Sequence, residues 1–190
     1  MEAISLTVTT PSVRPELLPI LEKSLKRQTF KSFEWIVGSP FEYKEADIWV
    51  KDPPKKEGDY YSLNKSWNAM FKKAKGKVIV NVVDGIELLP DTLGRLFSHY
   101  LINPKACITC VGDQYDERGV CVWQDPRKRI DFGSFYPVSH PEMEFCVVSF
   151  PRAAVNKVGG IDEEFDKYAA LSEKEMAARM YKMGYTLWID

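Results

Sequence analysis

Most of the residues able to do chemistry in this sequence are carboxylates. Asp84 follows residues 77–83 (KVIVNVV), an apolar run of the kind buried on both faces of a mainly parallel sheet. It therefore stands at the carboxyl end of a strand, where open α/β sheets bind ligands; an aspartate there also serves to cap the turn after a strand. Glu87 follows shortly after. Behind Ser172, Glu173 and Glu175 open a helical segment, a pattern that suits capping and the helix dipole as well as acid-base work. Arg127, Lys128 and Arg129 share a stretch with Trp123, Phe132, Phe135 and Tyr136. Guanidinium groups pair with phosphate and aromatic faces pack on sugars, so a mobile loop of this composition suits a sugar phosphate; a charge run is otherwise a solvated face.

Other chemistries find little support. His140 has no partner motif, and no nucleophile elbow or ordered Ser/His/Asp set points to acyl transfer. The Cys107-x-x-Cys110 pair lies in a β-branched, strand-like segment, where residues three apart face opposite ways and share neither a metal nor a disulfide. Basic and acidic residues nearly balance, 26 against 27, so there is no chain-wide footprint for nucleic acid or an anionic membrane. The apolar run at 78–83 is far too short to span a bilayer, and the first residues lack the basic start of a signal peptide. A cytoplasmic protein is the expectation.

The elements that must position these groups alternate. Residues 4–10 predict a strand, 15–28 an amphipathic helix, 33–37 a short buried strand and 46–50 another. A proline-rich loop at 51–58 leads to a helix over 62–75 that stops at Gly76. After strand 77–83 come a helix over 90–101 and a strand over 106–111. Residues 112–141 are too long for a simple connection and predict a functional loop or small hairpin. A strand at 144–150, a helix at 152–158 and a helix at 172–183 complete the pattern. Alternation of this kind predicts one α/β domain over 1–190 with a mostly parallel sheet and ligands at the strands' carboxyl ends.

Four local matches, in order over essentially the whole chain, resemble family 2 glycosyltransferases. Arg14-Pro15-Glu16-Leu17-Leu18 is similar to the family's turn from first strand to first helix. Residues 24–37 (SLKRQTFKSFEWIV) resemble its S-L-x-x-Q-T run into the second strand. Asn68, Ala74-Lys75-Gly76, Asp84 and Pro90-Asp91 match its N-x-x-x-x-x-A-x-G…D-D-D…P-D segment. Arg152, Val158-Gly159-Gly160-Ile161-Asp162-Glu163 and Arg179…Gly184-Tyr185 match its R…G-G-F-D-E and R…G-Y segments.

The resemblance implies a GT-A (Rossmann-like) three-layer sandwich and transfer of a sugar from a nucleotide-diphosphate donor, a UDP-sugar favoured, to an acceptor hydroxyl with inversion. It implies a donor pocket of Thr10, Pro11, Arg14, Asp47, Asn68 and Asp84, with Arg127 and Arg129 from the loop. It also implies a divalent cation, Mn2+ or Mg2+, on Asp84 aided by Glu87, and Glu173 as the base with Glu175 as alternative. Two departures are visible. The outer aspartates of the Asp-x-Asp motif fall on Val83 and Gly85, and the acidic pair after the second strand is replaced by Gly38-Ser39. These favour the alternative of a non-catalytic GT-A-like domain that binds a nucleotide, a sugar or a protein. A nucleotidyltransferase would need a glycine-rich phosphate loop, and residues 9–14 contain no glycine. The short length also raises the expectation of a homodimer or partner chain completing the acceptor site.

Overall fold

The computed structural model describes residues 4–128, 135–168 and 171–190. The chain runs β1 (Leu6–Pro11), α1 (Leu18–Lys26), β2 (Phe33–Ser39), β3 (Ile48–Lys51), α2 (Leu63–Lys73), β4 (Val78–Val82), α3 (Thr92–Ile102) and β5 (Ala106–Thr109). A hairpin of β6 (Asp113–Tyr115) and β7 (Cys121–Gln124) follows, then β8 (Tyr136–Pro137), β9 (Val147–Pro151), α4 (Arg152–Val158), α5 (Ser172–Lys182) and β10 (Thr186–Ile189). The main sheet has the order β3-β2-β1-β4-β9-β5-β10-β8. β3, β2, β1 and β4 are parallel, β9 inserts antiparallel between β4 and β5, β10 is parallel to β5, and β8 closes the edge antiparallel.

Strand alternation separates two cores. Val78, Val80 and Val82 of β4 face a layer formed by Leu18, Leu21 and Leu25 of α1 with Leu93, Leu96 and Tyr100 of α3. Ile79 faces Trp67, Met70 and Phe71 of α2, Ala154 and Val155 of α4, and Met176 and Met180 of α5. The result is a three-layer α/β/α sandwich. Cys107 belongs to one core and Cys110 packs against the other, as expected for two positions on opposite faces of a strand.

Asn81, the polar residue of β4, is buried without being left unpaired. Thr9 Oγ1 and Trp67 Nε1 donate to its Oδ1 (3.3 and 2.6 Å), and its Nδ2 donates to the Phe145 carbonyl (2.8 Å). The stretch expected as a loop or hairpin contains β6 and β7, whose turn is closed by the Gly119 amide on the Asp116 carbonyl. What the residue pattern did not give is the direction of β9, because a doubly buried antiparallel strand has the same composition as a parallel one.

Gly76 fixes the entry into β4. Its amide donates to Thr7 Oγ1 (2.8 Å), and a Cβ there would overlap backbone atoms of Leu6 and Thr7. Backbone cannot swing aside as a side-chain tip can. Gly76→Ala is expected to destabilise the fold by about 3 kcal/mol, read as a lower urea midpoint at unchanged m-value.

Candidate functional site at the strand ends

The first three strands are laid down β1, β2, β3 in one direction across the sheet, and β4 then returns on the other side of β1. The carboxyl ends of β1 and β4 are therefore the switch point, where open α/β sheets form their crevice. Asp84 sits there, 6% exposed. Ser12 Oγ donates to its Oδ2 (2.7 Å), Arg14 Nε donates to the same oxygen (3.2 Å), and Arg14 Nη2 pairs with Oδ1. Contact with Asp84 pushes the Arg14 guanidinium further above its ordinary pKa. The turn that carries Arg14 is held by its own amide donating to Ser12 Oγ (3.0 Å). The Ser12 amide donates to the Gly38 carbonyl at the end of β2 (2.9 Å). Thr10 and Pro11, at the end of β1, are buried, and Thr10 Oγ1 accepts from Trp35 Nε1 (3.0 Å), so its hydroxyl faces the core.

Asp47 accepts the Trp35 amide (2.7 Å) at the start of β3. It lies on the order of 10 Å below the strand end at 3.3 Å per residue, so it does not reach the crevice. The carboxylate at that edge is Asp52, just past the end of β3, which sequence reasoning missed. Its amide donates to the Ser39 carbonyl (3.0 Å), and Ser66 Oγ of α2 donates to its Oδ1 (2.6 Å). Burial pushes the Asp52 carboxyl above its ordinary value, and the Ser66 hydrogen bond opposes this only in part. Asp52 and Asp84 thus bracket a row of strand ends in the order β3, β2, β1, β4. The signal for it was present as the first carboxylate after a short strand, hidden by the proline-rich loop.

Several expected ligands are instead fasteners. Asn68 on α2 donates to the Ile161 carbonyl (2.8 Å) and Glu163 Oε1 (3.0 Å) and accepts the Ile161 amide (2.9 Å), which uses both ends of its amide. Glu175 takes a bidentate pair from Arg179 (2.6 and 2.7 Å), whose guanidinium also binds the Val158 and Gly160 carbonyls. These groups line an open cleft of about 400 Å³ between α2, the turn at 159–163 and α5. That cleft lies within the helical layer, and neither Arg14 nor Asp84 lines it, so its shape does not make it the chemical centre. Arg127 is also occupied. It grips Asp125, the Glu142 and Cys110 carbonyls and Thr109 Oγ1, and Lys128 pairs with Asp113. Burial acts to raise the Asp125 carboxyl, but the bonds from Arg127 outweigh it and hold the group low. Arg129 and Phe132 lie outside the described residues.

Glu173 is the acid of α5 that Arg179 does not bind. It is half-buried in the first turn of α5, with Ser172 Oγ donating to it at 3.2 Å. The residue before the helix is Leu171 rather than the expected Ser172 cap, and it adopts φ 83°, a left-handed conformation that non-glycine residues hold only under constraint. Because β10 runs parallel to β5 and α5 precedes it antiparallel, the first turn of α5 opens at the same edge as Asp84. Cys146, at the adjacent start of β9, senses the same groups: burial raises its thiol, Glu144 adds to this, Arg127 opposes it, and Glu173 contributes.

A divalent cation needs several oxygen ligands. Among the described residues no group of three or more His, Cys, Asp or Glu side chains is arranged to hold one. Glu87 is exposed and pairs with Arg27 behind α1, so it does not join Asp84. Both Asp84 oxygens are already bonded to Ser12 and Arg14, and the residues present do not fit a metal of the Asp-x-Asp kind.

No family model matches the chain, and no curated protein sequence matches it. Solved structures do. S. aureus TarS 1–349 in complex with UDP superposes with TM-score 0.72 at 15% identity, over 98% of this chain and 57% of that one. The mannosyltransferase PcManGT from Pyrobaculum calidifontis in complex with GDP-Man and Mn2+ gives 0.66 at 15%, over 97% and 56%. GalNAc-T7 with UDP, GalNAc and Mn2+ gives 0.72 at 14%, over 98% and 42%. The chain thus spans roughly half the length of these proteins. Among the described residues no helix is long and apolar enough to cross a membrane. The architecture, with its mostly parallel central sheet between two helical layers, is that of the GT-A glycosyltransferases.

Proposed function

We propose that the chain binds a nucleotide-diphosphate sugar along the row of strand ends from Asp52 to Asp84 and transfers the sugar to an acceptor hydroxyl. The observation that supports this best is the meeting of Arg14 and Asp84 at the switch point of the sheet. In this reading the chain is one cytoplasmic domain over 1–190 of the family 2 kind. The base and ribose lie toward Asp52 and the Thr10-Pro11 turn, and the diphosphate lies toward Arg14. A UDP-sugar is the favoured donor. Glu173 takes the proton of the acceptor hydroxyl as its oxygen attacks the anomeric carbon. The bond to the diphosphate breaks in the same displacement, so the configuration inverts. Guanidinium donors aimed at the leaving oxygens stabilise the charge that develops there. Asn68, Glu175 and Arg127 act at one remove, holding the turns around the groove.

The competing reading, a non-catalytic nucleotide- or sugar-binding domain, is favoured by Val83 and Gly85 standing where aspartates are expected. Binding and turnover separate the two. Screening UDP, GDP, CDP and dTDP by thermal shift, one nucleotide at a hundred times its Kd is expected to add about 2.7 kcal/mol, or roughly 5–10 °C for a chain of this size. Asp84→Ala is expected to abolish the shift; no shift with any nucleotide removes both nucleotide-binding readings. In a transfer assay Glu173→Gln is expected to lower kcat by about 10²–10⁴-fold at unchanged nucleotide affinity. Full activity in that variant would exclude Glu173 as the base.

Asp52 provides a pH test. Its folded-state carboxyl holds a proton more tightly than the ordinary value of 3.8, so the protonated group contributes stability that is fully present below 3.8 and lost as pH rises through the raised value. Asp52→Asn keeps the oxygen that accepts from Ser66. The variant is expected to be more stable than the parent at pH 7, with the difference closing below pH 3.8, and to bind the nucleotide more weakly. Urea unfolding at the two pH values and a nucleotide titration measure both effects.

A further inference from the structure

We infer that Arg14 occupies the place of the divalent cation, so that the diphosphate is recognised by a guanidinium built into the chain and binding needs no metal. The inference rests on the proposed nucleotide-sugar reading.

Three observations carry it. First, the position of a second carboxylate is held by a glycine in a backbone conformation that other residues rarely adopt. Gly85 has φ 75°, a left-handed conformation, and a Cβ there would lie 3.4 Å from Leu17 Cδ1. An aspartate at 85 would be strained in its backbone, with its Cβ in ordinary contact with Leu17, the residue before α1. Val83 is held by its own amide, which donates to the Cys146 carbonyl (3.0 Å) at the start of β9. Second, the remaining carboxylate is largely spent. Arg14 donates to each Asp84 oxygen and Ser12 donates again to Oδ2, so a cation would be left the open side of Oδ1, beside the like charge of the guanidinium. Third, the arginine is prepared for a further partner. Its side chain is 54% exposed while that of Asp84 is 4% exposed. The buried carboxylate therefore fixes one edge of the fork and leaves the remaining N–H donors open to the crevice.

A guanidinium so held is planar, permanently charged and matched to two phosphate oxygens at once. Because Asp84 and the Ser12 turn already set its direction, little side-chain freedom remains to be lost on binding. It carries one positive charge where a metal carries two, and the loss is offset by this fixed orientation.

The test titrates the intact chain calorimetrically with UDP, GDP, CDP and dTDP, first in EDTA and then in Mn2+. The nucleotide that binds is expected to do so with the same Kd in both conditions, within about twofold. Arg14→Gln is expected to weaken it about tenfold or more in both, which is about 1.4 kcal/mol. Since that change leaves Asp84 buried without its counter-charge, Arg14→Gln/Asp84→Asn is measured alongside; it keeps a neutral hydrogen-bonded pair, and circular dichroism reads its fold. Loss of binding in this folded double variant supports the inference. Binding that appears only with Mn2+ overturns it and leaves the proposed function standing, as does metal-indifferent binding that neither variant weakens. Binding of no nucleotide in either condition overturns the nucleotide-sugar reading and the inference with it.

Discussion

A carboxylate buried at the end of a doubly covered strand has to be paired. Left alone it would be protonated or would cost several kcal/mol. Asp84 is in that position, and the chain answers by folding the turn at 12–14 back onto it. Much else follows from this contact. The exit of β1 is set, the Ser12 amide reaches the end of β2, and the Asp52 amide extends the same lacing from β2 to β3. Four strand ends are thereby joined into one rim whose shape does not depend on a ligand. Preorganisation of this kind limits the conformational freedom lost on binding.

The rim is also where polar groups are held at some expense to stability. Asp52 is kept half-buried with a single hydroxyl partner among its side-chain contacts, and Leu171 is held left-handed directly before the helix that presents Glu173. The core shows the opposite habit. Asn81 and Glu34 are buried and satisfied, Glu34 accepting from Thr7 Oγ1 and from the Lys75 amide (2.8 and 2.7 Å). Strain and incomplete pairing are thus gathered at one edge of a sheet whose central polar side chains are paired.

Legibility in the sequence followed the range of the interactions. β4, Gly76, the two-sided β strand holding Cys107 and Cys110, and the amphipathic helices were readable because each depends on neighbours a few residues away. The roles of Asn68, Arg127 and Asp47 were not. Asn68 is defined by Ile161 and Glu163 across the chain, Arg127 by the carbonyls of Cys110 and Glu142, and Asp47 by the register that sets β3 beside Trp35. A residue type and its spacing state what a side chain can do; the partner that occupies it is settled by topology. Arg14 and Asp84, 70 positions apart, show this most clearly. Each was identifiable as a polar residue at a strand end, and their pairing became visible only with β1 beside β4.

The same topology gives the rim a direction. Toward β1 the half-exposed guanidinium of Arg14 offers open donors, with Asp84 buried behind it. Toward β9, Arg127 and Lys128, just past the hairpin, are taken up by Asp125 and Asp113, and Glu144 pairs with Lys174 (3.7 Å), while Glu173 lies toward Cys146. Open guanidinium donors thus lie beside β1 and β4, and the Glu173 carboxylate lies toward β9. On the proposed reading the displacement has the same polarity, since negative charge builds on the leaving diphosphate as a proton is released from the acceptor. With a net charge of −1 the chain has no long-range field to supply that asymmetry. It must come from individual side chains placed by the strand order, and the insertion of antiparallel β9 beside β4 is what sets the two ends apart.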